Sequence, residues 1–345
     1  MNAVRHRRRQ FFIVRDEANQ DKLYRETRLI PTKTANKKVK ELTRELEQTK
    51  KDLGSALLLK ASRKVHQITK QHGKSGEAVI FAVASDWHVE EEVRPAQVNE
   101  INKYSLDIAK QRADHFFTTL LRLVEIERQN TTVDTLVLAL LGDFITGNIH
   151  EDSIRSLEEN EALIYAQELL VSGIKFLLKN SDLKIICPCH SGNHARITKK
   201  QRITTEHQNS QEWLMYKTIA HIFADEPRIT FNISEGYHSY LTVFDNLVRF
   251  HHGHQIKYQG GVGGITIPVN KAIAQWNRIR PVMLDVFGHF HTAFDGGNFM
   301  SNGSMIGFNA FALSIKASPE PPQQLFFGIH STHGKYITRY IKFPI

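Results

Sequence analysis

The chain has 345 residues, a formal net charge of +9 and only two cysteines, long enough to bury one large core and carry an appendage. No apolar run can cross a bilayer, and MNAVRHRRRQ lacks the apolar core and small-residue cleavage site of a signal peptide. The expectation is a soluble, cytoplasmic protein without a membrane role. Cys187 and Cys189, two apart on one apolar run, make neither an ordinary disulfide nor a zinc ribbon and read as small core residues.

The charge is uneven. Residues 1–78 carry 20 Lys+Arg against 9 Asp+Glu, a balance of +11, which leaves 25 basic and 27 acidic groups, −2, for the rest. Residues 1–78 therefore form a basic N-terminal extension and linker, and 79–345 a separate domain. Arg5 and Arg7 to Arg9 precede an apolar run at 11–14. From Lys37 to about His72 the pattern is helical: Val39, Leu42, Leu46, Leu53 and Leu57 recur at three-, four- and seven-residue steps. Thr49 interrupts that stripe, which faces either its own domain or a second copy, a possible homodimer. The basic excess suits an arm that meets nucleic acid, or else a solvated Lys-rich helix. Residues 71–77 read as a linker.

From Ala78 the texture is α/β. Strands are expected at 79–84, 135–141 and 183–189, with helices at 102–128 and 161–179 between them, so that helices cover the sheets. Trp213 and Trp276 lie in helical patterns and read as core. After residue 227, strands are expected at 229–233, 238–244, 247–251, 283–287, 308–315, 324–329 and 335–343, with Asp245-Asn246 as a hairpin turn.

Five clusters of metal-type ligands end successive apolar runs: Asp86-Trp87-His88, Gly142-Asp143, Gly192-Asn193-His194, His252-Gly253-His254 and Gly288-His289-Phe290-His291. Residues two apart on an extended chain project to one side, so Asp86 with His88, and His289 with His291, can grip ions. Asp143 after its strand has two oxygens and could bridge two cations. Asn193 offers an amide oxygen to a hard cation, and Arg196 could hold a phosphate oxygen. His251, His252 and His254 are alternatives at the fourth cluster. Gly260, Gly261, Gly263 and Gly264 could turn amides towards a phosphate or form a loop beside the site. Tyr237 and His238 could line a groove or start a strand.

In this order and spacing the clusters resemble the calcineurin-like metallophosphoesterase superfamily, whose signature is D-x-H, G-D, G-N-H, H and G-H-x-H. The likeness spans about residues 79–342, and segments 258–264 and 319–327 look like phage- and prophage-encoded members. The resemblance implies two mixed β-sheets packed as a sandwich flanked by helices. It implies one metal on Asp86, His88, Asp143 and His291, and a second on Asp143, Asn193, His252 and His289. His252 is favoured because the family's ligand directly precedes a glycine. His194 would protonate the leaving oxygen or steady the phosphate. Two positions depart from the family: Ala195 follows His194, and Thr146 stands where many members carry an Asp that orients that histidine. His150, Glu151 or Asp152 could substitute for it.

The expected chemistry is phosphoester hydrolysis by water at two divalent cations, Mn first, with Fe or Zn possible. A phosphodiesterase or nuclease on nucleic acid, in a bacterial or phage-infected cell, is the leading expectation. The alternatives are a phosphatase or cyclic-nucleotide phosphodiesterase for small substrates, and a non-catalytic binding protein with a degenerate site.

Overall fold

A computed structural model describes residues 32–61, 66–68, 76–149, 153–258 and 264–344. Contacts divide the chain into two compact units, Met1–Lys64 and Val65–Ile345. In the first unit, α1 (Thr32–Ala61) is one 30-residue helix. Val39, Leu42, Leu46 and Leu53 stand more than half exposed along it. The helical reading to residue 72 is too long: β1 (His66–Ile68) is a strand of the second unit, paired in parallel with β6 (Ser239–Val243). The arginines at 5–9, the apolar run at 11–14 and the linker up to residue 75 lie outside the described residues.

The second unit holds two six-stranded sheets. One runs β12 (Gly334–Lys342), β11 (Gln323–His330), β2 (Glu77–Ala84), β3 (Thr132–Leu140), β4 (Lys184–Cys189) and β5 (Ile229–Ile233). The other runs β1, β6, β7 (Asn246–Phe250), β8 (Leu284–Phe287), β10 (Phe299–Ser301) and β9 (Phe294–Asp295). Both are mixed. β2 to β5 pair in parallel while β11 and β12 pair antiparallel, and in the second sheet β7, β8 and β10 are parallel neighbours.

The period-2 side-chain pattern explains the layering. On β2, Val79, Phe81 and Val83 join Val137, Leu241, Val248, Phe250 and Val286 in the core between the sheets. The alternate residues Ile80, Ala82 and Ala84 face the other way, against Phe116, Leu120 and Ile174 of α2 (Leu106–Arg128) and α3 (Glu159–Asn180). β2 and β3 are apolar on both faces because both faces are covered. Cys187 and Cys189 are free and fully buried in this core, as expected. No described helix is long and apolar enough to cross a membrane.

Two local expectations fail. Residues 308–315 form no strand but the short helix α6 (Ala310–Ser314), whose cap Asn309 accepts from the Ala312 amide. That polar cap breaks an otherwise apolar run. The β6–β7 turn is Phe244-Asp245, with Phe244 at φ 53°, because Asn246 already pairs with Val243.

Arg249 and Asp285, opposite one another on β7 and β8, form a fully buried two-pronged pair at 2.6 and 2.9 Å. Arg249 also lies over the ring of Trp276, at the end of α5 (Thr266–Trp276). The pair fixes the two strands whose ends carry His252 and His289. Asp285→Ala leaves the Arg249 charge buried without its partner and should cost about 3–5 kcal/mol in urea unfolding. Arg249→Met combined with Asp285→Leu should cost much less.

Candidate metal centre

The five clusters converge at the C-terminal ends of β2, β3, β4, β7 and β8, where the two sheets meet. Three groups of ligand atoms form, each with all atoms within 4.8 Å: Asp86, His88 and His291; His88, Asp143 and His194; Asp143, His252 and His289. His88 and Asp143 each belong to two groups, so the three form one continuous set with Asp143 between its ends.

Backbone strain concentrates there. Among the nine non-glycine residues at positive φ in the described chain, five are Asp86, His88, Asp143, His289 and His291. Each such conformation costs about 1–3 kcal/mol and persists only where neighbours over-determine it. The neighbours are visible. Asp86 N–H donates to Gly142 O, Trp87 N–H to Asp143 O, and Gly288 N–H to His252 O. Trp87 turns the opposite way from Asp86 and His88, into the helix layer against Phe116 and Phe144.

The glycines in the clusters have a steric cause. A Cβ on Gly192 would lie 2.0 Å from Asp143 Oδ1, and one on Gly288 would lie 2.4 Å from Asp86 Oδ2. Each carboxylate sits where a side chain on the facing loop would be. Asp143 is 1% exposed and accepts from the His194 amide at 2.9 Å. Asp86 accepts from Ser85 Oγ and from the His289 amide.

Three histidines have their orientation set from behind. His252 Nδ1 donates to Leu141 O, and His194 Nδ1 donates to Thr146 O at 3.0 Å. His88 Nδ1 lies 3.0 Å from Thr146 Oγ1, whose own proton goes to Glu91 Oε2. A hydroxyl has one proton, so His88 must donate to Thr146 and keep a bare Nε2. That Nε2 is 3.3 Å from Nε2 of His291, which is itself 3.3 Å from Asp86 Oδ1. His252 Nε2 lies 2.9 Å from Asp143 Oδ2 without hydrogen-bond geometry, and Asn193 Oδ1 is buried with no hydrogen-bond partner. Bare imidazole nitrogens, carboxylates and an orphaned amide oxygen aimed at common points are the donor set of a divalent cation.

The electrostatics agree. Burial, then His194 and His291, hold His88 well below its usual value, and burial does the same for His289, so both are neutral ligand-type imidazoles. Burial alone would raise the Asp143 carboxyl, but His252 and His194 outweigh it and hold it well below the carboxylate range. His252 differs: burial lowers it, but Asp143 outweighs burial and lifts it to about 10, so without a cation its ring carries the proton that a metal ion would displace.

The other expected residues separate clearly. His251 packs on Phe287 beside Asp285, and His254 lies 2.6 Å from Glu206. Arg196 donates to Asn193 O and Thr198 O, bracing the loop that carries Asn193. Trp213 and Trp276 are half-buried, the latter packed on the α5 cluster. His150, Glu151, Asp152, Gly260, Gly261 and Gly263 lie outside the described residues.

Two buried carboxylates went unread in the sequence. Glu212, on α4 (Gln211–Ile222), accepts from the amides of Phe144 and Gly192, both at 2.7 Å, and so clamps the Asp143 and Asn193 loops together. Glu90 accepts from the amides of Thr146 and Gly147. The only signal for Glu212 was a charge at a helix start, which also reads as an ordinary favourable first-turn acid.

No protein-family model matches the sequence, and no curated protein does. Among solved structures, a hypothetical protein from Pyrococcus horikoshii is 13% identical and covers 76% of this chain and 87% of its own, at a TM-score of 0.37. A dimetal phosphatase from Danio rerio is 10% identical over 77% and 99%, at 0.36. An uncharacterized Streptococcus pneumoniae protein described as a predicted phosphoesterase is 12% identical over 77% and 98%, at 0.28. At such identities and scores these likenesses carry no argument about this chain.

Thr146→Val removes the acceptor that fixes the His88 tautomer and should weaken divalent-metal binding about 10–100-fold in a calorimetric titration. In chelator-treated protein, burial and then Asp143 push Glu212 from 4.5 up to about 8. A carboxyl raised on folding contributes stability that is present below the unfolded value and is lost as pH rises through the folded one. Glu212→Gln should therefore lessen the stability lost between about pH 5 and pH 8 in urea titrations. Below about pH 5 it should cost about 1–3 kcal/mol, because Gln satisfies only one of the two amides.

Proposed function

We propose that the chain is a two-metal phosphoester hydrolase that works as a phosphodiesterase or nuclease on nucleic acid. The observation that carries the reading is the linked set of ligand groups sharing His88 and Asp143. Asp86, His88, Asp143 and His291 would hold one cation, and Asp143, Asn193, His252 and His289 the other. The mixed Asp, Asn and His set suits Mn, with Fe and Zn as alternatives. Divalent cations there would supply Lewis acidity to a phosphoryl oxygen and to the attacking water.

The chain's own residues do the rest. His194, held at Nδ1 by the Thr146 carbonyl, keeps Nε2 within 4.0 Å of Asp143 Oδ2 and can carry a proton there for the leaving oxygen. In this role the carbonyl takes the place of the missing carboxylate, so Thr146 does not argue for a degenerate site. Arg196 holds the Asn193 loop in place.

The nucleic-acid assignment rests on the +11 balance of residues 1–78. Basic arms bind phosphate backbones without reading sequence. Such an enzyme would act in the cytoplasm of a bacterial or phage-infected cell, where two unpaired thiols are ordinary. A second reading, a phosphatase or cyclic-nucleotide phosphodiesterase, is favoured by the −2 balance of the remaining residues.

With Mn²⁺ the full chain should cleave at least one of single-stranded DNA, double-stranded DNA and RNA, and Asp143→Asn should abolish the cleavage. Intact nucleic acid beside rapid hydrolysis of phosphomonoesters or cyclic nucleotides would replace the nuclease reading with the second one. Removing residues 1–64, which leaves β1 in place, should weaken nucleic-acid binding and flatten its salt dependence, by about one unit of slope for each phosphate no longer neutralised.

A further inference from the structure

Thr146 is buried and held at three atoms. Its amide donates to Glu90, its carbonyl accepts from His194 Nδ1, and its hydroxyl lies between His88 and Glu91. That hydroxyl is one link of a longer chain. Glu91 Oε2 accepts from Thr146 Oγ1 at 3.0 Å, and Glu91 Oε1 accepts from Asn309 Nδ2 at 2.8 Å. Asn309 is buried too, and its Oδ1 caps α6 by accepting from the Ala312 amide at 2.9 Å.

The direction of the chain follows from its far end. The Asn309 oxygen serves the helix cap, so its NH₂ group must face Glu91. A carboxylate only accepts, and it takes one proton from Asn309 and one from Thr146. With its single proton spent, the hydroxyl can only accept from His88 Nδ1. A neutral imidazole carries one ring proton, so Nε2 is left bare. Nε2 is the atom that lies 3.3 Å from His291 Nε2, among the candidate ligands.

We propose that Glu91 is a positioning residue: it fixes the direction of the Asn309–Glu91–Thr146–His88 chain and so holds His88 in the tautomer whose Nε2 can take a cation. The use of that tautomer rests on the two-metal reading, while the tautomer itself does not. What position 91 must supply is an acceptor facing Thr146, and shape alone does not suffice.

The chain makes this distinction measurable. Glu91→Gln keeps the shape but leaves one acceptor. The new amide oxygen must face Asn309 Nδ2, so the new NH₂ points at Thr146 and donates to its hydroxyl. The hydroxyl then donates to His88 Nδ1, and the ring proton moves to Nε2. Asn309→Asp retains a good cap and replaces the NH₂ group by an acceptor. In Glu91→Gln combined with Asn309→Asp the amide turns over, its oxygen faces Thr146 again, and the original direction returns. A carboxylate that merely packed would show no such rescue.

The test has two readouts on the full chain. Imidazole ¹⁵N spectra of the chelator-treated protein, with the His88 signals identified by their loss in His88→Phe, should show the proton on Nδ1 in the wild type, on Nε2 in Glu91→Gln and on Nδ1 in the double variant. Calorimetric titration with Mn²⁺ should show affinity lowered about tenfold or more in Glu91→Gln and recovered in the double variant. A wild-type His88 protonated on Nε2 overturns the proposal without any variant. So does a Glu91→Gln ring that keeps its proton on Nδ1, or a lost affinity that Asn309→Asp does not recover. A tautomer that switches and returns as described, in a protein that binds no Mn²⁺, upholds the role of Glu91 and overturns the two-metal reading instead.

Discussion

The burial of the Asp143 carboxylate is the constraint on which the site depends. Taking a charged carboxylate out of water is expensive unless hydrogen bonds and opposite charge replace its solvent. Here the His194 amide and the His252 ring do so, and Gly192 leaves the room for them. The β3 loop turns through left-handed conformations at Gly142 and Asp143 to deliver the group. Two further buried carboxylates, Glu212 and Glu90, hold the flanking loops by their amides. Buried carboxyl side chains thus organise the loops that bring the candidate ligands together.

The sandwich supplies rigidity from below. Parallel β2, β3 and β4 end side by side, and the buried Arg249–Asp285 pair locks β7 to β8 in the facing sheet. Candidate ligands from both sheets therefore meet at fixed spacing, which a two-cation centre would need. Strain at five candidate ligand positions is tolerated because this frame over-determines it.

Much of this was legible in the sequence. Apolar runs gave the central strands, whereas the close approaches that require Gly192 and Gly288 show only in the structure. The choice among His251, His252 and His254 could not come from spacing alone, because strand alternation leaves two of the three on one side. The structure separates them by partner: Asp285 for His251, Asp143 for His252 and Glu206 for His254. Strand β1 was missed because three residues carry no periodicity, and their pairing partner lies more than 170 positions away. The run at 308–315 misled because its apolar residues hide a polar helix cap. Glu212 was invisible because its partners are backbone amides, which every sequence has. The acceptor at His194 Nδ1 is likewise a backbone carbonyl, that of Thr146, which no side-chain motif reveals.

Metal content tests the central claim most directly. After loading with Mn²⁺ and removal of free ion, elemental analysis of the full chain should give two ions per chain, and Asp143→Asn, which alters the group shared by both sites, should hold fewer than one. A wild-type content well below one ion per chain, or a content of two that survives Asp143→Asn unchanged, would contradict the account.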